Sequence, residues 1–303
     1  MKKIIIAGGT GFLGNCLKDH YSGTGTQIVI LTRNVMPHEE HISYIHWNGK
    51  DQGEWSETLE GADALINLTG RSVDCRYNKK NKAEIYSSRL DSTTALGVAI
   101  ARCLNPPRVW INSSSATIYR HALDRNMDED TGETGTGFSV DVCQRWEKTF
   151  LDFTTPRTRK VIIRTAIVLG KKGGALKPLT LLAMTGLGGP QGRGDQYVSW
   201  LHEKDFVSII DFIIAHEEIQ GVYNLSAPNP VPNKEFMNVL RQTHKVRVGI
   251  PIPAWLLTAG AFVIRTEPEL VLKSRRVVPS RLLASGYRFH FEDTRSALTD
   301  LAA

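Results

Sequence analysis

Gly8-Gly9-Thr10-Gly11-Phe12-Leu13-Gly14 is the stretch on which the fold turns. In front of it Lys2 to Ala7 is a short β-branched run. Behind it Phe12 to His20 is suited to a helix, and Gln27 to Leu31 is a second β-branched run. Strand, glycine turn, helix and strand make one βαβ unit. Gly8 suits the tight turn, Gly11 lets a pyrophosphate approach the backbone, and Gly14 lets helix and strand pack closely. The helix start then offers free N–H groups and a positive dipole end to that anion.

Working outward, the same alternation continues. Ala64 to Leu68 reads as strand, Lys79 to Leu104 as a long helix, Arg108 to Asn112 as strand, Val140 to Phe153 as helix and Lys160 to Leu169 as strand. The strands are nearly all apolar, which a parallel sheet covered on both faces requires. The expected fold is therefore α/β, a Rossmann-type doubly wound parallel sheet with a smaller C-terminal substrate-binding lobe. After Gly170 glycine-rich loops take over. Phe206 to Ala215 (helix) and Gly221 to Leu225 (strand) return to the sheet, and Ala227 to Asn233 is a turn-rich joint before a helix at Lys234 to Thr243. The boundaries expected are 1–170, with 200–227 returning to it, for the dinucleotide-binding Rossmann domain, and 171–199 with 228–303 for the smaller substrate-binding lobe.

Composition narrows the functional classes. Among 303 residues, 37 Lys+Arg against 31 Asp+Glu leave a net charge of +6, small for this length and without a long basic block. A nucleic-acid binder is not indicated. The longest apolar stretch, Ile250 to Ile264, contains Pro251 and Pro253 and falls short of the about 20 residues that span a membrane. The N-terminus lacks a secretory pattern. Cys16, Cys75, Cys103 and Cys143 are far apart and form no CxxC or Cys/His pair, so neither a disulfide framework nor a zinc site is expected, and a cytoplasmic setting fits.

The second strand ends Leu31-Thr32-Arg33. An acid there would hold ribose hydroxyls, whereas an arginine suits a 2′-phosphate, so the expected cofactor is NADP(H). Such a charge-assisted bond is worth about 1.5 to 3 kcal/mol.

The glycine fingerprint, Ala64-Leu65-Ile66-Asn67-Leu68-Thr69-Gly70 and Ser113-Ser114-Ser115-Ala116-Thr117-Ile118-Tyr119 together resemble the extended short-chain dehydrogenase/reductases of the NAD-dependent epimerase/dehydratase family. Ser88-Arg89-Leu90, Gly173-Gly174-Ala175-Leu176, Trp200-Leu201-His202, Asn224-Leu225-Ser226-Ala227 and Val278-Pro279-Ser280-Arg281-Leu282-Leu283 are similar to its atypical YfcH-like sugar-nucleotide epimerase subfamily. The resemblance implies a phosphate loop of Gly8, Thr10, Gly11, Phe12, Leu13 and Gly14, a 2′-phosphate contact at Arg33, and Leu68, Thr69 and Gly70 beside the cofactor ribose. Arg89 matches a subfamily arginine and is either a cofactor contact or a surface ion-pair partner. A homodimer through the two long helices is a further family expectation.

In that family a Ser or Thr after the fifth strand polarises the substrate, and a Tyr-x-x-x-Lys on the next helix supplies a phenolate and its cation. Ser115 takes the first place, but Ser139 and Cys143 stand where Tyr and Lys belong, ahead of Glu147. Bringing a tyrosine from its usual pKa of about 10 to 7 requires about 4 kcal/mol, which Cys143 cannot supply as a cation. Tyr119 is the remaining candidate general acid, with a packing role at the domain joint as its alternative. Gly188 to Gln196 reads either as a mobile loop that closes over an anionic or polyhydroxylated ligand or as a long structural turn, and Asp205 as a helix N-cap rather than a catalytic acid. The basic cluster Arg71, Arg76, Lys79, Lys80 and Lys82 is either a solvated helix start or a phosphate attractor. Two functions follow: an NADP(H)-dependent epimerase or oxidoreductase acting on a sugar-nucleotide or related small-molecule carbonyl substrate, or a non-catalytic NADP(H)-binding sensor or partner-binding protein, some relatives being labelled cell-division inhibitors.

Overall fold

Ile4, Ile5, Ile6 and Ala7, in the strand Lys3–Ala7 (β1), have no solvent exposure at all. This is the middle of the sheet in a computed structural model that describes residues 1–34, 36–258 and 269–303. The chain continues through Phe12–Tyr21 (α1), Gln27–Thr32 (β2), Ile42–His46 (β3), Ala64–Asn67 (β4), Lys79–Arg102 (α2), Val109–Ser115 (β5), Phe138–Leu151 (α3) and Arg159–Thr165 (β6). Then come Ile167–Leu169 (β7), Leu176–Leu182 (α4), Tyr197–Val198 (β8), Trp200–His202 (β9), Glu203–Ala215 (α5), Gly221–Leu225 (β10), Val231–Pro232 (β11) and Asn233–Thr243 (α6). Seven strands pair in the order β10-β6-β5-β4-β1-β2-β3, every pairing parallel. The chain reverses direction across the sheet between β1 and β4, and the crevice outside their carboxyl ends is where such sheets bind ligands.

Both faces are covered, which is why the strands are apolar throughout. Ile4, Ile6, Ile28, Ile30, Ile66 and Ile111 face Leu17 and Tyr21 of α1 and Phe206, Ile209 and Ile213 of α5. Their neighbours Ile5, Val29, Leu31, Leu65 and Trp110 face Leu96, Ala99 and Ile100 of α2 and Phe150 of α3. Each such side chain stabilises the fold by about 1.5–3 kcal/mol relative to exposure. A third cluster joins Leu169, Trp200, Phe236, Met237 and Leu240 to Leu298 and Leu301 of the last helix, Thr294–Ala302.

Three readings need correction. Ile42–His46 is an additional edge strand, buried on alternate residues. The run 160–169 is two strands: the sheet strand ends at Thr165, Ala166 donates its N–H to Leu225, and Ile167–Leu169 pairs with β9 instead. The break is marked by the polar pair Arg164-Thr165, half-buried at the end of the sheet strand, just ahead of the apolar Ile167–Leu169. The tail is also not confined to the smaller lobe, because Leu282, Tyr287 and Phe289 pack into the α5 side of the main core.

Part of the basic surplus serves helix ends at the opposite edge of the sheet. Arg157 donates to the carbonyls of Cys103 and Leu104 after α2, Lys160 to those of Leu151 and Phe153 at and just past the end of α3, and Arg159 to those of Ile213 and Ile219 near the end of α5. Cations at carbonyl-rich helix ends satisfy orphan acceptors and oppose the negative dipole end. No described helix is long and apolar enough to cross a membrane; residues 259–264 of the apolar stretch lie outside the described residues.

Candidate cofactor and active site

The glycine turn has the shape its spacing predicts. Gly8 has φ of +76°, and a Cβ on it would lie 3.0 Å from the Thr69 backbone. A Cβ on Gly14 would sit 2.3–2.5 Å from the backbone of Gly9, so only glycine lets the helix start so close to the turn. Gly11 is different: a Cβ there would meet nothing nearer than the Gly8 carbonyl at 3.8 Å, so the turn faces open space. Gly11 is also the N-cap of α1, extended, with no side-chain cap bond and no acid in the first turn. The first N–H groups of α1 thus face that space without a side-chain competitor, and the site fits a pyrophosphate.

Phe12 contributes there only through its backbone. Its ring is held against Gly170, Gly173 and Gly174, where a Cβ would approach to 2.5–2.9 Å, which explains that second glycine pair. Thr10 is exposed beside the turn, and Leu13 packs partly against the core. Arg33, just beyond β2, is exposed and makes no ion pair among the described residues.

At the end of β4 the chain is fixed by a buried polar network that sequence reading missed. Asn67 donates to Asn112 (2.7 Å) and Thr93 (3.1 Å), and accepts from the Thr69 N–H (3.1 Å). Thr69 meets Ser92, and Trp146 donates to Thr93. The signal was available, since Asn67 and Asn112 are amides inside apolar strands and such groups persist when fully bonded. The network sets the path of Leu68, Thr69 and Gly70 past the crevice. Arg89 lies directly over Gly70, donates to the carbonyls of Arg71 and Ile85, and stacks on Trp146 at 5.1 Å. Arg71, from the basic cluster, is paired with Glu84.

Ser115 ends β5, and its Oγ accepts from the Thr117 N–H (3.2 Å) and donates to the Thr117 hydroxyl (3.0 Å). On the facing helix, Ser139 lies 3.4 Å from the Tyr77 hydroxyl, and Cys143 is buried, with burial pushing its thiol up to about 12. That thiol is neutral at pH 7 and supplies neither a thiolate nor a cation.

Tyr119 is a correction. It is 1% exposed; its hydroxyl donates to Asn224 (2.9 Å) and accepts from Arg164 (3.0 Å). Burial raises its pKa despite the Arg164 charge. Arg164 in turn holds Glu147, which also accepts from Ser114 at 2.6 Å. Tyr119 therefore belongs to a packed ionic network rather than to a surface that a substrate reaches.

Two other expectations also change. The loop 188–196 is pinned, with Gln191 and Gln196 bonded to each other and Gln191 to Asn233 of α6, and Gly189 and Gly192 bonded to Ile250 and Ile252. The N-cap of α5 is His202, whose ring accepts from the Lys204 N–H. Asp205 is fully buried and accepts from the His290 and Phe291 N–H groups at 2.7 and 3.1 Å, tying the tail to α5.

A doubly wound parallel sheet with a glycine cradle at its switch point defines a dinucleotide-binding Rossmann-type protein. Residues 4–139 match the model of the NAD dependent epimerase/dehydratase family, and 252–301 match a domain of unknown function, DUF1731. The chain is 32% identical over 306 residues to Epimerase family protein SDR39U1 of Mus musculus, covering 99% of this chain and 100% of that protein. It is 31% identical to Epimerase family protein YfhF of Bacillus subtilis, covering 99% and 98%. The crystal structure of human SDR39U1 (isoform 2) with NADPH superimposes with a TM-score of 0.89 at 29% identity, covering 99% of each chain. The chain belongs to the NAD-dependent epimerase/dehydratase family.

Proposed function

We propose that this protein binds NADP(H) in the crevice between β1 and β4 and acts on a small carbonyl or alcohol substrate, a sugar-nucleotide or a related compound, held by Ser115. The observation that carries the reading is the open cradle at Gly11, with uncapped helix N–H groups on one side and, beyond β2, an exposed Arg33 that makes no ion pair among the described residues. In this assignment Gly8, Thr10, Gly11, Phe12, Leu13 and Gly14 receive the pyrophosphate, Arg33 receives the 2′-phosphate, and Leu68, Thr69, Gly70 and Arg89 wall the ribose and nicotinamide side. The likeness to an NADPH-bound structure over the whole chain supports it. When bound, the cofactor supplies or accepts a hydride. Ser115 holds the substrate oxygen through its hydroxyl, and Tyr119 keeps the loop after β5 in place.

Titration of purified protein with NADPH and NADH tests this. NADPH is expected to bind more tightly, and Arg33→Ala to weaken NADPH about tenfold or more with little change for NADH. An unchanged NADPH dissociation constant would refute the Arg33 assignment. A second reading, a non-catalytic NADP(H)-binding protein, is favoured by the neutral, buried Cys143 at the lysine position. Tight NADPH binding without turnover on a broad carbonyl panel would select it.

A further inference from the structure

At the amino edge of the sheet, opposite the cofactor crevice, lies an open recess of about 1220 Å³. Lys2, Arg108, Arg157, Arg159 and Lys160 line it, and its carboxylates are Asp63 and Glu217. Strand pairing brings these cations together: the Arg159 N–H donates to the Arg108 carbonyl at 2.9 Å, and the Arg108 N–H to the Ala62 carbonyl at 3.1 Å, next to Asp63. Arg108 lies 3.6 Å from Asp63 but keeps 77% of its side chain exposed. Lys2 lies 3.7 Å from Asp211, a carboxylate already held by His20 and Tyr21. Arg157, Arg159 and Lys160 make no ion pair among the described residues. Each makes two bonds to neutral carbonyls and keeps further N–H donors to spare. Burial pulls the pKa values of Arg159 and Lys160 down, with Glu217 and Glu218 opposing it at Arg159 and Asp152 at Lys160. The ends of α2, α3 and α5 that these side chains cap set about half a negative charge each against the five cations, so with the two carboxylates they leave a surplus of roughly one to two positive charges.

We propose that this recess is a second anion site, separate from the cofactor crevice, which takes a chain of two or three phosphates, free or carried by a nucleotide. A concave recess selects a small molecule over an acidic protein face. Its cations are spread along the sheet edge from Lys2 at β1 to Arg159 and Lys160 on β6, three strand spacings of about 4.8 Å or roughly 14 Å in all. A single phosphate meets the cations of one or two neighbouring strands, whereas a phosphate chain bridges several. Guanidinium and ammonium groups with donors to spare are what such oxygens bind. The recess is lined by the starts of β1, β6 and β10 and the ends of α3 and α5, so an anion held there also ties these elements together and stabilises the fold by mass action.

The test titrates the NADPH-saturated full-length protein with inorganic triphosphate, inorganic phosphate and ATP at about 0.15 M salt, which screens exposed charges beyond about 8 Å. Triphosphate should bind at one site per chain, about tenfold or more tightly than phosphate, and without displacing NADPH, whose fluorescence reports on its own site. Arg108→Glu should weaken triphosphate about tenfold or more while the NADPH dissociation constant stays within about twofold. If Arg108→Glu does not fold, the double variant Lys2→Gln, Arg108→Gln carries the test, with a weakening of about fivefold expected. ATP binding more tightly than triphosphate identifies a nucleotide as the source; ATP binding equally or less tightly identifies the free phosphate chain. No triphosphate binding, binding no tighter than that of phosphate, displacement of NADPH, or binding unchanged in the variant would overturn the site. Failure of NADPH to bind would count against the cofactor reading alone, and sensitivity of triphosphate to Arg108→Glu rather than to Gly11→Val would still decide this one.

Discussion

Arg164 grips the Glu147 carboxylate with two hydrogen bonds, at 2.9 and 2.8 Å, across the space between β6 and α3. Glu147 is 7% exposed, and Ser114 donates to it as well. Removing one member leaves the other buried and uncompensated, which costs about 3–5 kcal/mol. Arg164→Met is therefore expected to lower stability by that amount in urea unfolding. The double variant Arg164→Met, Glu147→Leu should recover most of it. If the double variant is as unstable as the sum of the two single ones, the pair is not the unit described here.

Tyr119 hangs on the same arginine, and this separates a structural role from a catalytic one. Tyr119→Phe removes the hydroxyl between Asn224 and Arg164 and leaves both partners short of a bond, a cost of about 1–3 kcal/mol. NADPH affinity and the pH dependence of any turnover should not change. A lost pH limb in the variant would restore Tyr119 as a general acid.

The fold was legible where local and tertiary demands coincide. Gly8, Gly11 and Gly14 encode turn, opening and close packing in seven residues, and the isoleucine runs declare a sheet covered on both faces. What escaped reading depends on partners distant in sequence. Arg164 is a charge inside an apolar strand, a signal in itself, but its partners Glu147 and Tyr119 are 17 and 45 residues away. The glutamines of the 188–196 loop look ligand-ready until Asn233, 42 residues on from Gln191, absorbs them.

Gly11 and Gly14 should respond differently to a side chain. Gly11 has φ of −82°, which any residue adopts, and open space at its Cβ. Gly11→Val is expected to fold with a stability loss of about 1 kcal/mol or less, from the poorer N-cap, while filling the cradle and reducing NADPH affinity a hundredfold or more. Gly14→Ala places a Cβ against the Gly9 backbone and should destabilise the domain itself. Paired melting and NADPH titration check both. Unimpaired NADPH binding by Gly11→Val would remove the cradle from the site.

His202 makes stability depend on pH. Its ring is wholly buried, stacked on Phe291 at 4.0 Å, with Nε2 3.2 Å from Asp300. Burial lowers its pKa from 6.5 to about 4, against the opposing pull of the Asp300 carboxylate. The unfolded chain therefore takes up a proton on this ring at a pH where the folded chain does not. The stability it contributes is complete above pH about 6.5 and falls as the pH drops towards about 4. The full loss across that window is roughly 3 kcal/mol. Urea unfolding at pH 7 and pH 5 should show part of this loss in the wild type and a smaller one in His202→Gln, whose side chain does not titrate. An equal loss in both proteins would place the acid sensitivity elsewhere.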